Sequence, residues 1–152
     1  MLHADRRGGE GPLSVAGFLR RLLARLGWAR AEGDRRRLGA LGERHAAGFL
    51  RAAGYRILAK NLRGTHGEID ILCEAPDERT IVVVEVKTRR AGGRLPPEAS
   101  VHARKLATLK ALMRSVVASN GWQDRPRRID VVAVDIPERG SPVIRHFVGV
   151  GA

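Results

Sequence analysis

The amino-acid sequence predicts an α/β fold, a central mixed β-sheet flanked by helices with an extra basic helix at the N-terminus, and three observations carry that expectation. Residues 67–72 and 81–87 are two apolar β-type runs separated by a short polar break with Pro76 and Asp77, the composition of a hairpin turn. Residues 101–119 then repeat apolar side chains at helical spacing, and residues 128–136 follow as a third apolar run. A strand entered through a helix returns parallel to the strand before it, so parallel and antiparallel pairing are expected in one sheet.

Residues 1–12 are polar and glycine-rich and are expected to be disordered. Leu13 and Ser14 have the character of an N′ residue and an N-cap. Val15, Phe18, Leu19, Leu22, Leu23 and Leu26 then share one broad helical face, with Arg20, Arg21 and Arg25 outside it. Packing on its own domain or on a partner is the first expectation for such a helix. Contact with an anionic membrane or nucleic acid, or service as an organelle transit peptide, are the alternatives. Residues 29–37, with Gly33 and the run Arg35, Arg36 and Arg37, read as a linker, which divides the chain into a basic extension, 1–37, and one domain, 38–152.

A helix is expected over 38–53, with Leu41, His45, Ala46, Phe49 and Leu50 on its apolar side and Gly54 ending it. Glu43 falls at the edge of that side, where it either aims along the helix–sheet seam or is an ordinary exposed glutamate. A short strand at 55–58 leads into a polar loop holding Lys60, Asn61, Arg63 and His66 around Gly64 and Gly67. His66 there either touches phosphate or finishes a turn. After the two acidic runs, residues 91–97 are Gly- and Pro-rich and expected to be mobile. In the helix over 101–119, Leu106, Leu109, Leu112, Met113, Val116 and Val117 face the core, while Lys105 either reaches phosphate or is solvated. The strand at 128–136 is expected to carry Asp130 and Asp135 at its ends, and 143–150 to be an edge strand.

Over 152 residues, Lys and Arg number 28 against 16 Asp and Glu, a formal charge of +12 with a pI near 11.4. A basic surface around a few acids suits a polyanionic substrate held by its phosphates; ribosome or anionic-membrane binding would give the same balance. Genome base composition would give the same excess of arginine over lysine, so the charge balance is supporting evidence only. The single Cys73 excludes an intramolecular disulfide and a cysteine zinc cluster, and is expected to be a packed small residue rather than a nucleophile. No apolar run is long enough to cross a bilayer and no secretory leader is visible, so a cytoplasmic protein without a membrane partner is expected.

The segments Gly67-Glu68-Ile69-Asp70-Ile71-Leu72 and Ile81-Val82-Val83-Val84-Glu85-Val86-Lys87 place charges inside strands of buried type. Alternate residues of a strand share a face, so Glu68 projects with Asp70 and Glu85 with Lys87, and three carboxylates and one ammonium can converge. A same-face ion pair on a solvated strand would give the Glu85–Lys87 spacing too. The apolar surroundings of Glu85 favour a site, because an ionised group in a central strand is costly without a partner or a metal. Carboxylates suit a hard divalent cation, and a nearby lysine can orient a water or stabilise developing negative charge, which is the equipment of a metal-dependent phosphodiesterase. Arg63, His66, Arg89, Arg90 and Lys105 are the expected nucleic-acid contacts around it.

The order of a helix with Glu43, a strand with Asp70, a strand with Glu85-Val86-Lys87, a helix and a further strand resembles the nuclease core shared by restriction endonucleases and archaeal Holliday-junction resolvases. Gly39-Ala40-Leu41-Gly42-Glu43, Ala53-Gly54-Tyr55-Arg56-Ile57-Leu58 with Asn61, Gly67-Glu68-Ile69-Asp70, Val84-Glu85-Val86-Lys87-Thr88-Arg89, and Val101 with Lys105 resemble the bacterial YraN family from about residue 38 to the C-terminus. The resemblance implies a restriction-endonuclease-like core and a DNA endonuclease that hydrolyses phosphodiester bonds in branched or single-stranded DNA during repair, recombination or uptake. It implies that Asp70 and Glu85 hold Mg²⁺ or Mn²⁺ together with the Val86 carbonyl, and that Lys87 positions the attacking water. Glu43 would act through a second metal or a bridging water, and Glu68 would support the ligands or hold its own ion. The basic N-terminal extension departs from the family's shorter start, so no role carries over to it.

No base-reading element is evident, so recognition of DNA structure rather than DNA sequence is expected, and two-strand cleavage of a symmetric junction would call for a homodimer. The competing reading is a non-catalytic nucleic-acid- or partner-binding module that retains the nuclease fold. A purely structural reading, in which the acids only make ion pairs, predicts neither metal binding nor any activity to lose.

Overall fold

The structure, a computed structural model, describes residues 15–65, 67–90 and 103–151, and the side chains of its first helix from Glu32 onward. The expectations for 1–12, for the capping pair Leu13 and Ser14, for the apolar face over 15–26, for 91–97 and for His66 lie outside the described residues or side chains.

Helix α1 is Val15–Ala52, 38 residues long, and it contains 29–37, which the sequence suggested was a linker. That stretch is written mainly in alanine, arginine and glutamate, all strong helix formers, and the lone Gly33 costs only about 1 kcal/mol. Glu32 and Arg36 add an i, i+4 ion pair at 3.4 Å. By its internal contacts the chain divides into two compact units, Met1–Arg36 and Arg37–Ala152. The second carries every remaining element.

Its sheet comprises β1 (Arg56–Gly64), β2 (Gly67–Glu74), β3 (Ile81–Arg90), β4 (Arg127–Ile136) and β5 (Val143–Phe147), arranged in space in chain order. Helix α2 (Ala103–Asn120) falls between β3 and β4 in the chain, and those two strands pair in parallel from Ile81↔Arg127 to Arg90↔Ile136. The other pairs are antiparallel, so the sheet is mixed as expected.

Period-two alternation explains why β3 reads as apolar throughout. Val82 and Val84 pack with Ile71, Cys73, Val132 and Val134 against Ala46, Ala47 and Leu50 of α1. Ile81 and Val83 pack with Leu72 and Ile129 against Leu109, Leu112, Met113 and Val117 of α2. Both faces of the strand are therefore covered, and each fully buried Val, Ile or Leu contributes about 1.5–3 kcal/mol. Past Val83, the same alternation carries Glu85 and Lys87 onto the α2 face.

The β2–β3 turn forms as its sequence suggests. Asp77 Oδ1 accepts the N–H groups of Arg79 and Thr80 at 3.0 and 2.8 Å. Bonding from the Thr80 hydroxyl, then from these N–H groups, pulls the Asp77 carboxyl down to about 2. Cys73 is buried, and burial pushes its thiol up to about 12, as befits a packing residue.

Two expectations need correction. The stretch after residue 58 is not a polar loop; β1 continues to Gly64 and pairs with β2 from Arg56↔Glu74 to Gly64↔Gly67, with a register irregularity between Ile57 and Ala59. An edge strand leaves polar side chains in water while its ladder bonds satisfy the backbone, so its composition does not announce it. Asp130 is not at a strand end either; it is the fourth residue of β4 and fully buried.

Candidate active site

The β2–β3 ladder stops at Ile71↔Val84, and beyond that point a side chain takes over the bonding. Asp70 Oδ2 accepts the Val86 N–H at 2.7 Å, which fixes this carboxylate between the two strands. Glu85, 4% exposed, lies one residue further down β3 than the last ladder partner. Its Oε1 accepts Lys87 Nζ at 2.8 Å, and its Oε2 lies 2.9 Å from Lys105 Nζ, which α2 brings down onto the sheet. The Lys105 contact is an ion pair without hydrogen-bond alignment, so Oε2 is a buried acceptor with an unfilled bond.

Burial, and then the negative charge of Glu85, raise the Asp70 carboxyl from 3.8 to about 6; the Val86 N–H and Lys105 offset part of this, and Glu43 adds a smaller push in the same direction. The charge of Glu85 thus bears on a carboxyl that is itself largely buried. Asp70, Glu85, Val86, Lys87 and Lys105 are therefore gathered in one place, and Lys105, expected as a phosphate contact or a solvated lysine, instead meets the Glu85 carboxylate.

Glu43 adds its charge to the Asp70 carboxyl, whereas Glu68 is taken up by Arg63. Glu43 is half-buried on α1 beside Gly42, where a Cβ would come within 1.8 Å of Thr88 Oγ1, so glycine is what lets the helix lie against β3. Glu68 pairs with Arg63 across the β1–β2 hairpin at 3.4 Å. Among the described residues no set of three or more His, Cys, Asp and Glu is grouped to hold a metal ion. Of the expected nucleic-acid contacts, Arg63 and Arg90 are exposed. Arg89 is committed to Asp135, donating Nη2 to Oδ2 at 2.8 Å, and Arg145 reaches the same oxygen at 3.1 Å.

A second polar cluster escaped the sequence reading. Asp130 accepts the Gly149 N–H and Arg128 Nε at 2.9 and 3.0 Å on Oδ1, and its Oδ2 lies 2.9 Å from His146 Nε2. Arg128 also donates to the Tyr55 hydroxyl at 2.8 Å. Burial alone would raise the Asp130 carboxyl, but the bonds from His146, Gly149 and Arg128 outweigh it and hold it below 3.8. The signal was the one used at Glu85, an acid inside an apolar run, Ile129-Asp130-Val131.

A family model described as "Uncharacterised protein family UPF0102" matches residues 42–134, a span that includes Glu43, Asp70, Glu85, Lys87 and Lys105. A UPF0102 protein of Pelobacter propionicus is 39% identical over 118 residues, covering 78% of this chain and 84% of that relative. A second, from Kineococcus radiotolerans, is 41% identical over 114 residues, 74% of this chain and 92% of its own. A Mycobacterium relative is 35% identical over 137 residues, covering 90% of this chain and 98% of that protein. None of these names states an activity. Among the described residues no helix is long and apolar enough to cross a membrane.

Proposed function

The chain belongs to the UPF0102 family, and from the geometry of its buried carboxylates and lysines we propose that it is a metal-dependent DNA endonuclease that hydrolyses phosphodiester bonds. The observation that carries the proposal is the pairing of Asp70, raised to about 6, with Glu85, whose buried Oε2 lacks an aligned donor. Two such oxygens fit a hard divalent cation, Mg²⁺ or Mn²⁺, held by Asp70 and Glu85 with the Val86 carbonyl. When bound, the cation supplies Lewis-acid polarisation of the phosphoryl group and neutralises the carboxylate pair.

The remaining chemistry belongs to the chain. Lys87 reaches over Glu85, with its side chain 46% exposed, and so can hold a water at the mouth of the site and steady negative charge at phosphorus. Water attacks phosphorus as the P–O bond to the leaving oxygen breaks, the water giving up a proton to solvent and the leaving oxygen taking one from it. The buried floor under Glu85 keeps its charge fixed in place during the reaction. Glu43 would act through a second metal or a bridging water, and Glu68 would support the ligands or hold its own ion. Recognition rests on phosphates, read by DNA structure rather than sequence, and a homodimer would supply two such sites to a branched substrate.

The two lysines already on Glu85, and the lack of a three-acid group among the described residues, favour one competing reading, a binding module that keeps the fold without turnover. A panel of linear, single-stranded, flapped and four-way DNA with Mg²⁺ or Mn²⁺ against EDTA separates them. The nuclease reading expects metal-dependent cleavage that Lys87→Ala abolishes while DNA binding survives. Binding without cleavage under every condition would leave the module.

A further inference from the structure

A cavity of about 380 Å³ lies away from the carboxylates, between the flank of α2, the start of β4 and the chain after β5. Lys110 and Arg114, one turn apart on α2, line it together with Arg127 of β4, and all three are exposed. Arg127 shares the strand alternation of Ile129, which packs on the α2 face. Arg128 also borders the cavity, but its guanidinium is engaged by Asp130 and Tyr55. No acidic residue lines the cavity, and among the described residues no carboxylate pairs with Lys110, Arg114 or Arg127.

The third wall is fixed in place. Gly149 N–H bonds to Asp130, Val150 N–H bonds to the Ile129 carbonyl at 2.8 Å, and the Gly151 carbonyl accepts Lys110 Nζ at 2.9 Å. A Cβ on Gly151 would lie 2.3 Å from Leu106 Cδ2, so glycine is what allows this segment to close on α2. The result is a walled cationic groove whose charge nothing on its own surface balances.

We propose that this groove is a second phosphate subsite, which takes the sugar–phosphate backbone of a nucleic-acid strand beyond the bond presented to Asp70 and Glu85. The inference rests on the nucleic-acid reading of the carboxylate site. Lys105 contacts Glu85 near the start of α2, and at ~3.6 residues per turn and ~1.5 Å per residue Lys110 and Arg114 lie about 140° and 180° around the helix from it and ~7.5 and ~13.5 Å further along its axis. The groove and the carboxylates therefore flank opposite sides of α2, and a nucleic acid engaged at both crosses over the helix.

The test is fluorescence anisotropy of the full chain with labelled single-stranded and duplex oligonucleotides in EDTA, as a function of salt, so that its outcome does not depend on cleavage. Lys110→Ala/Arg114→Ala/Arg127→Ala should weaken binding about tenfold or more near 0.1 M salt and flatten the slope of log affinity against log salt by about 2–3, since each cation removed leaves one phosphate with its counterions. A matched variant, Arg51→Ala/Arg79→Ala/Arg139→Ala, removes the same charge from exposed positions elsewhere and should change the slope much less. Because Lys110 also holds Gly151, the pair Arg114→Gln/Arg127→Gln is measured too, with circular dichroism as the folding control; it should flatten the slope by about 2. Equal effects from the groove and matched triples would overturn the subsite. So would saturable calorimetric binding of inorganic phosphate or a nucleoside monophosphate that is lost in the groove triple while oligonucleotide binding stays at the wild-type level. Loss of cleavage with the groove effect intact would count against the nuclease reading alone.

Discussion

Asp70→Asn should make the metal-free protein more stable at neutral pH, although it removes a charge from the centre of the proposed site. The carboxyl is raised from 3.8 to about 6, first by burial and then by Glu85. At ~1.36 kcal/mol per pH unit that rise corresponds to about 3 kcal/mol of native-state penalty at pH 7, reduced to about 1–3 kcal/mol for partial solvent access. The sign follows from proton binding. Below pH ~4 the group is neutral in both the folded and the unfolded chain; between ~4 and ~6 only the folded chain keeps the proton, so stability falls as pH rises through this window; above it the whole penalty is present. Asparagine has no charge to desolvate and retains an oxygen for the Val86 N–H, whose bond to Asp70 is 2.7 Å. Thermal melts in EDTA at pH 7.5 should show the variant about 4–12 °C above wild type, at roughly 4 °C per kcal/mol, and the gap should close near pH 4. Added Mn²⁺ should then raise the wild-type transition and leave the variant where it was, because a ligand stabilises only the state that binds it. A folded Asp70→Asn protein that melts at or below wild type in EDTA at pH 7.5 would refute the reasoning: the carboxylate would not be a strained acid awaiting a cation.

Asp130→Ala removes the acceptor shared by Arg128, His146 and the Gly149 N–H and should lower stability by about 3–5 kcal/mol in urea unfolding, with Asp130→Asn losing less. Since the Asp130 carboxyl is held below 3.8, its contribution is present at neutral pH and should fade as pH drops through that lowered value. Gly42→Ala puts a Cβ 1.8 Å from Thr88 Oγ1 and should cost about 1–3 kcal/mol by the same measurement; a melt identical to wild type would mean that α1 does not lie this close to β3.

Local chemistry alone makes β2, β3, β4 and α2 legible in the sequence. Their apolar runs and helical spacing reflect which faces must leave water, and Pro76 with Asp77 specifies the turn that joins the acidic strands. The same alternation puts Glu85 and Lys87 on one face, and a charge inside a buried strand points to Asp70 and Glu85 because burial without a partner is costly. Where propensity and burial no longer agree, the sequence is silent or misleading. Residues 29–37 are helical because their side chains favour a helix despite Gly33, and β1 runs to Gly64 because β2 supplies its ladder bonds, not because its own residues alternate. The pairings that define the sites are decided by tertiary structure alone. Lys105 meets Glu85 across 20 residues of chain, Arg89 chooses Asp135 over solvent across 46, and His146 closes on Asp130 across 16. A side chain's partner at such separations depends on how α2 and β5 settle on the sheet, and that is set by the packing of the whole core rather than by the identity of the charged residue.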